Sequence, residues 1–227
     1  MDYAGADNLE AMQAAKNYNS WLVGKIINNM PAKAERVIDF GAGNGSFAKE
    51  VEKQSNKKVV CVEPAENMQE YLLGLEKVKS LECLADNEAD FIYSLNVLEH
   101  IEKDEEVLRL LWQKIKKGGV ILIYVPAFAC LYSAMDEEVG HFRRYEKEDL
   151  LKKVSAAGFV VKDCRYEDFV GWFAAILFKL VSKKSGKLSK KSVWFYDRFL
   201  FPLSRLADFL SQGRLLGKNL LLVAKKE

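Results

Sequence analysis

Apolar positions along this chain fall into short continuous runs alternating with stretches of helical spacing, and that alternation predicts most of the fold. Residues 36–40, 58–62, 90–95 and 120–125 read as buried strands, each an apolar run bounded by Gly, Pro or charged residues. Between them the spacing predicts helices over 46–54, with Phe47 and Val51 on one face, over 65–74, and from Asp104 to Lys116, closed by Gly118-Gly119. A weak strand fits 78–82. Further on, a helix fits Lys147 to Ala157 with Gly158 as its C-terminal cap, then a strand from Phe159 to Arg165 and a last strand from Asn219 to Lys225. Such alternation predicts an α/β fold with a mainly parallel sheet covered on both faces.

Two segments lie outside that rhythm. Residues 9–29 have helical spacing, with Met12, Tyr18, Trp21, Leu22 and Ile26 as buried candidates before Pro31. Residues 168–217 separate the last two strands by far more than a hairpin needs, and they look helical. The expected division is one domain: a cap at 1–30, a cofactor-binding core at 31–167, a helical insertion at 168–217 and a last strand at 218–227.

Composition adds little to this picture. With 227 residues, 49% hydrophobic and 29% charged, and a net charge of +2, the chain is an ordinary globular domain with no global reason to bind nucleic acid. Its start lacks the basic and apolar regions of a secretory signal, so a cytoplasmic protein is expected. Cys61, Cys83, Cys130 and Cys164 are widely spaced, which predicts reduced, mostly buried thiols and neither a zinc site nor a disulfide framework; no metal is expected. The longest apolar run, Phe169 to Val181, is interrupted by Lys179 and falls short of the ~20 residues that span a bilayer.

The candidate chemistry begins in Asp39-Phe-Gly-Ala-Gly-Asn-Gly45, where a buried strand runs into a glycine-rich turn that lets a ligand approach the backbone. The next strand ends in Glu63-Pro64, an acid placed to bond ribose hydroxyls. Gly-x-Gly-x-Gly is not the dinucleotide fingerprint, and an acid at Asp39 would repel a pyrophosphate while suiting a cationic ligand without phosphate. On these residues, and on Asp90-Phe-Ile-Tyr-Ser-Leu-Asn-Val-Leu-Glu-His-Ile101, the chain resembles the class I S-adenosylmethionine-dependent methyltransferases. An NAD-dependent oxidoreductase on a similar sheet and a non-catalytic, membrane-associated cofactor-binding module are the alternatives.

The resemblance implies a Rossmann-like, seven-stranded, mostly parallel sheet whose last strand runs antiparallel beside the sixth. It implies S-adenosylmethionine as cofactor, giving S-adenosylhomocysteine. Gly41, Ala42, Gly43 and Gly45 would hold the methionine part with Asp39, and Glu63 with Pro64 the ribose. Asn96, Val97, Leu98 and His100 would follow the fourth strand beside the cofactor, and Met68 would pack either on the adenine or simply in the core. The acid that many relatives place before the fourth strand to bind adenine is missing; Asp86 and Asn87 look like a turn.

The pattern Gly140-His-Phe-Arg-Arg-Tyr145 resembles a subgroup associated with sugar and lipid pathways. His141 is the candidate general base, and Arg143, Arg144 and Tyr145 are candidate acceptor contacts; alternatively the arginines bridge Asp136, Glu137 or Glu138 and hold the loop shut. The acceptor expected is small or lipid-linked, of sugar, isoprenoid or quinone type, methylated on oxygen. Large aromatics in 168–217 flank Lys183, Lys184, Lys187, Lys190 and Lys191, which suits an anionic membrane surface and a peripheral location at its inner face; packing on the sheet edge or in a dimer is the other reading.

Overall fold

Every residue of β1 (Val37–Phe40) and β2 (Val59–Val62) is buried, as parallel strands covered on both faces require. The computed structural model describes residues 5–181 and 189–227. With β3 (Glu76–Val78), β4 (Ala89–Leu95), β5 (Ile115–Pro126), β6 (Val160–Glu167) and β7 (Asn219–Lys225), the strands form one sheet in the order β3-β2-β1-β4-β5-β7-β6. Strands β1 to β5 pair in parallel, and β7 runs antiparallel between β5 and β6. This is the Rossmann-like sheet the resemblance implied. Strand order reverses between β1 and β4, so their C-terminal ends open a crevice.

Side chains alternate across the sheet. Ile38, Ile92, Ile121 and Leu222 pack in one layer together with residues of α4 (Asp104–Lys114) and α6 (Lys147–Ala156). Val37, Phe91, Tyr93 and Tyr124 pack in the other with α2 (Lys16–Asn29) and α3 (Ser46–Ser55).

The N-terminal helix is two helices, α1 (Ala6–Met12) and α2, because the Met12 carbonyl accepts the Asn19 side-chain amide at 3.0 Å and the chain turns at 13–15. The expected helix over 65–74 does not form. One tight turn at Glu66–Met68 takes its place, since the Gln69 side chain donates to the carbonyls of Glu63 and Ala65, and Gly74 at φ +83° leads straight into β3. That strand lies at 76–78, earlier than expected. Gly118-Gly119 sits within β5, at an irregularity opposite Ala89 and Phe91, and not at a helix cap; a Cβ on Gly119 would lie 3.0 Å from the Lys116 carbonyl oxygen. All cysteines are unpaired, but Cys83 and Cys130 are exposed, contrary to the expected burial.

The insertion is helical: α7 (Phe169–Val181), α8 (Lys190–Phe195), a wide π-helical turn at Tyr196–Leu200, and α9 (Phe201–Ser211). It packs directly on the N-terminal helices. Asp197 accepts the backbone N–H groups of Asn17 at 3.0 Å and Tyr18 at 2.8 Å, Phe201 sits 5.4 Å from Tyr18 and 5.7 Å from Trp21, and Arg205 stacks on Trp21.

Candidate active site

The crevice is floored by the turn after β1. Gly41 adopts φ +79° and Gly43 φ +53°, and a Cβ on Gly41 would lie 2.3 Å from a Val97 methyl, so the first glycine is required for the approach of the two strand ends. Asp39 is buried beneath them, and its Oδ2 has no hydrogen-bond partner. Burial pushes its carboxyl up to about 7, with the Tyr93 hydroxyl pulling the other way and the Glu63 charge adding to the rise. Glu63, buried at the end of β2, accepts the Gly43 N–H at 2.7 Å and the Ala65 N–H at 2.9 Å, tying the second strand to the turn.

The other expected cofactor residues follow the C-terminal ends of β1, β2 and β4. Ala42 and Met68 are buried, Gly45 precedes α3 in a left-handed conformation, and Pro64 is exposed beside Glu63. Asn96 is held at φ +53° with its N–H on the Tyr124 carbonyl, leaving its side chain exposed. Leu98 is fully buried in the core. Asp86 pairs with Lys114 and Asn87 takes a left-handed backbone, the turn that was expected there.

His100 follows the same strand end as Asn96 and Leu98. It packs against His141, with ring centroids 4.5 Å apart at 78°. Their meeting is organised by Asp136, fully buried in α5 (Ala134–Glu138). Its Oδ2 accepts from the Ser133 backbone and hydroxyl; its Oδ1 meets His141 Nδ1 at 2.7 Å and Arg144 Nε at 2.9 Å. Burial alone would raise this carboxyl, but the His141 bond and the Arg144 charge hold it below the ordinary range. His141 Nε2 is thereby turned toward Glu99, 3.9 Å from its Oε1.

Glu99 is fully buried and neither carboxylate oxygen has a hydrogen-bond partner. Burial pushes it up to about 8, against its own backbone N–H and the Arg144 charge. Burial, then the neighbouring His141, pushes His100 down to about 4. Sequence reasoning passed over Glu99; its signal was an acid directly before His100 at the end of a strand.

Arg143 and Tyr145, expected at the acceptor, are engaged elsewhere. Asp104, buried in the first turn of α4, collects Arg143 at 2.9 Å, the Tyr145 hydroxyl at 2.7 Å and Lys153 at 2.8 Å, because a carboxylate so placed needs compensating donors. The loop is held shut in part as the alternative reading had it. Arg144 pairs with Asp136, whereas Arg143 pairs with an acid outside the loop.

Behind Arg144 lies a cavity of about 240 Å³. Met12, Tyr18, Leu131, Met135, Ala174 and Phe178 line it, with Lys218 and Arg144 as its cationic groups. Lys218 is 3.5 Å from Asp168, itself bonded by Ser204 and Tyr196.

Comparison with known proteins adds a family to this geometry. A family model described as a methyltransferase domain matches residues 10–163. Among solved structures, the chain is similar to an S-adenosylmethionine-dependent methyltransferase from Archaeoglobus fulgidus, with 21% identity, TM-score 0.61, and 92% and 94% of the two chains covered. It is similar to one from Thermotoga maritima, with 16% identity, TM-score 0.64 and coverage of 97% and 94%. It also resembles phosphoethanolamine N-methyltransferase 2 of Haemonchus contortus in complex with S-adenosylmethionine, with 17% identity, TM-score 0.61, and 90% of this chain on 52% of that one. At these identities the likeness is one of fold.

Proposed function

The chain belongs to the methyltransferase domain family, and from that premise we propose that it transfers a methyl group to oxygen on a small or lipid-linked acceptor of sugar, isoprenoid or quinone type. S-adenosylmethionine is its methyl donor, supplying a sulfonium-activated methyl carbon that needs no further activation. The protein's part is to position and desolvate.

Asp39 receives the donor's ammonium group. Its buried, unpartnered Oδ2 supports this, since a carboxylate there gains a charge partner from a cation and would repel the pyrophosphate of NAD. Glu63 keeps lone pairs for the ribose hydroxyls, and the backbone of Gly41 to Gly43 faces the methionine part. Met68, Asn96 and Val97 flank the adenosine.

The acceptor occupies the cavity behind Arg144, whose apolar wall suits an isoprenoid or acyl segment and whose Arg144 and Lys218 suit a phosphate or carboxylate. His141 takes the hydroxyl proton through Nε2, with Asp136 fixing the tautomer through Nδ1. The observation that carries this reading is that the cavity and the Asp136–His141 pair share Arg144 as a common wall.

The test is incubation with methyl-labelled S-adenosylmethionine and lipid, quinone and sugar extracts. Label is expected in a methoxy group on an apolar product formed from a hydroxyl-bearing acceptor, and His141→Ala should lower transfer without weakening S-adenosylhomocysteine binding. Intact cofactor binding with no transfer to any extract would leave a non-catalytic binding module.

A further inference from the structure

Glu99, His100 and His141 form a cluster larger than proton handling by one imidazole requires. We propose that these three side chains bind a divalent first-row transition-metal ion, leaving open coordination positions for the acceptor's oxygen. The binding stands by itself, while its catalytic consequence rests on the methyl-transfer reading above.

The three groups each offer one ligand atom, and those atoms all lie within 4.8 Å of one another. An ion with bonds of about 2.1 Å holds tetrahedral donors about 3.4 Å apart, so a contraction of at most about 1.4 Å in any donor pair closes the site. Two imidazoles and one carboxylate are the donor set of open transition-metal centres, and a poor match to magnesium or calcium, which prefer oxygen alone.

Two further observations point to a cation. Glu99 is a completely buried carboxyl with both oxygens unpartnered, an arrangement that costs free energy unless something positive completes it. Both rings are also supported from behind: His141 Nδ1 is fixed by Asp136 at 2.7 Å, and His100 lies beside the backbone of Gly140 and Val139. Outer partners of this kind orient metal-ligating imidazoles toward the ion.

With an ion in place, His141 Nε2 is a ligand and no longer the base. An acceptor hydroxyl bound to the ion releases its proton to solvent, and its oxygen pair forms the bond to the methyl carbon as the carbon–sulfur bond breaks. Metal dependence therefore distinguishes the two roles of His141.

The experiment is titration of chelator-stripped protein with Co²⁺, following visible absorption, and with Mn²⁺, following its free-ion resonance. One equivalent should bind the full chain, and Glu99→Gln and His100→Ala should each bind at least tenfold more weakly. A thermal melt of each variant, measured in parallel, reports that it is folded. Absence of one-equivalent binding in the unmodified protein, or equal binding in the Glu99→Gln variant, would overturn the site. A metal bound as expected in a protein that methylates nothing would keep the site and remove the methyl-transfer reading. Activity unchanged after stripping would overturn the catalytic consequence and leave His141 as the base.

Discussion

Asp39 is a carboxyl that water does not reach, and its charge state depends on what enters the crevice. Its value is raised from 3.8 to about 7, so in the ligand-free fold its contribution to stability is complete below about pH 4 and lost as pH rises through 7. A cationic ligand selects the ionised form and has the opposite preference. Affinity for S-adenosylhomocysteine should therefore drop roughly tenfold from pH 8 to pH 6, the change in ionised fraction of a group near 7. In Asp39→Asn the affinity should be weak and flat over that range. A calorimetric titration showing no pH dependence in the unmodified protein would remove Asp39 as the ammonium partner. Gly41→Ala is the complementary steric test. At φ +79° with a Val97 methyl 2.3 Å from the new Cβ, it should cost about 1–3 kcal/mol in stability and abolish cofactor binding; wild-type binding in that variant would mean that the turn relaxes freely. Asp39, Gly41 and Glu63 were legible in the sequence because each ends or follows a buried strand, where pattern and chemistry coincide. Glu99 was not, because what sets it apart is the absence of any partner, a property of tertiary packing.

At the scale of elements, α2 shows where periodic reading stops. Its apolar spacing was visible, but its start was not, since Ala15 caps nothing and the carboxylate that satisfies the first N–H groups is Asp197, 180 positions from Asn17. The same limit explains 65–74, where one glutamine side chain and Gly74 overrule helical spacing, and Gly118-Gly119, where a strand irregularity has the same composition as a helix cap. Asp197→Ala removes two charge-assisted bonds and should cost about 2 kcal/mol. For a chain of this size that lowers Tm by roughly 4–8 °C. A thermal melt unchanged by the substitution would mean that water replaces the carboxylate at the helix start and that the N-terminal helices are not tied to the insertion through it.

At the scale of the whole molecule, apolar exposure is concentrated on one structure. Of the fifteen large hydrophobic residues that are exposed among the described residues, eleven lie in 168–217, among them Phe173, Leu177, Leu180, Trp194, Phe209 and Leu210. α7 is apolar on both sides: Ala174, Ala175 and Phe178 line the cavity, while Phe173, Leu177 and Leu180 face outward. Among the described residues no helix is long and apolar enough to cross a membrane. The expectation of a peripheral membrane contact would use this exposed face, lying in the headgroup region with the cavity one helix away. Of the lysines that suggested an anionic surface, Lys183, Lys184 and Lys187 lie outside the described residues, Lys190 pairs with Glu10 at 2.6 Å and Lys191 is exposed. On that reading apolar insertion would be the larger contribution, and charge a modulation of about 1 kcal/mol per lysine near the surface. The protein should co-sediment with vesicles containing anionic lipid. Replacing Leu177, Phe209 and Leu210 together by Ser should weaken that binding at least tenfold, at about 0.8 kcal/mol per buried methylene, while leaving S-adenosylhomocysteine affinity unchanged. If the same substitutions instead convert a dimer to a monomer in sedimentation and leave vesicle binding as it was, the exposed face meets a second copy of the chain, and the acceptor reaches the cavity without a membrane beneath it.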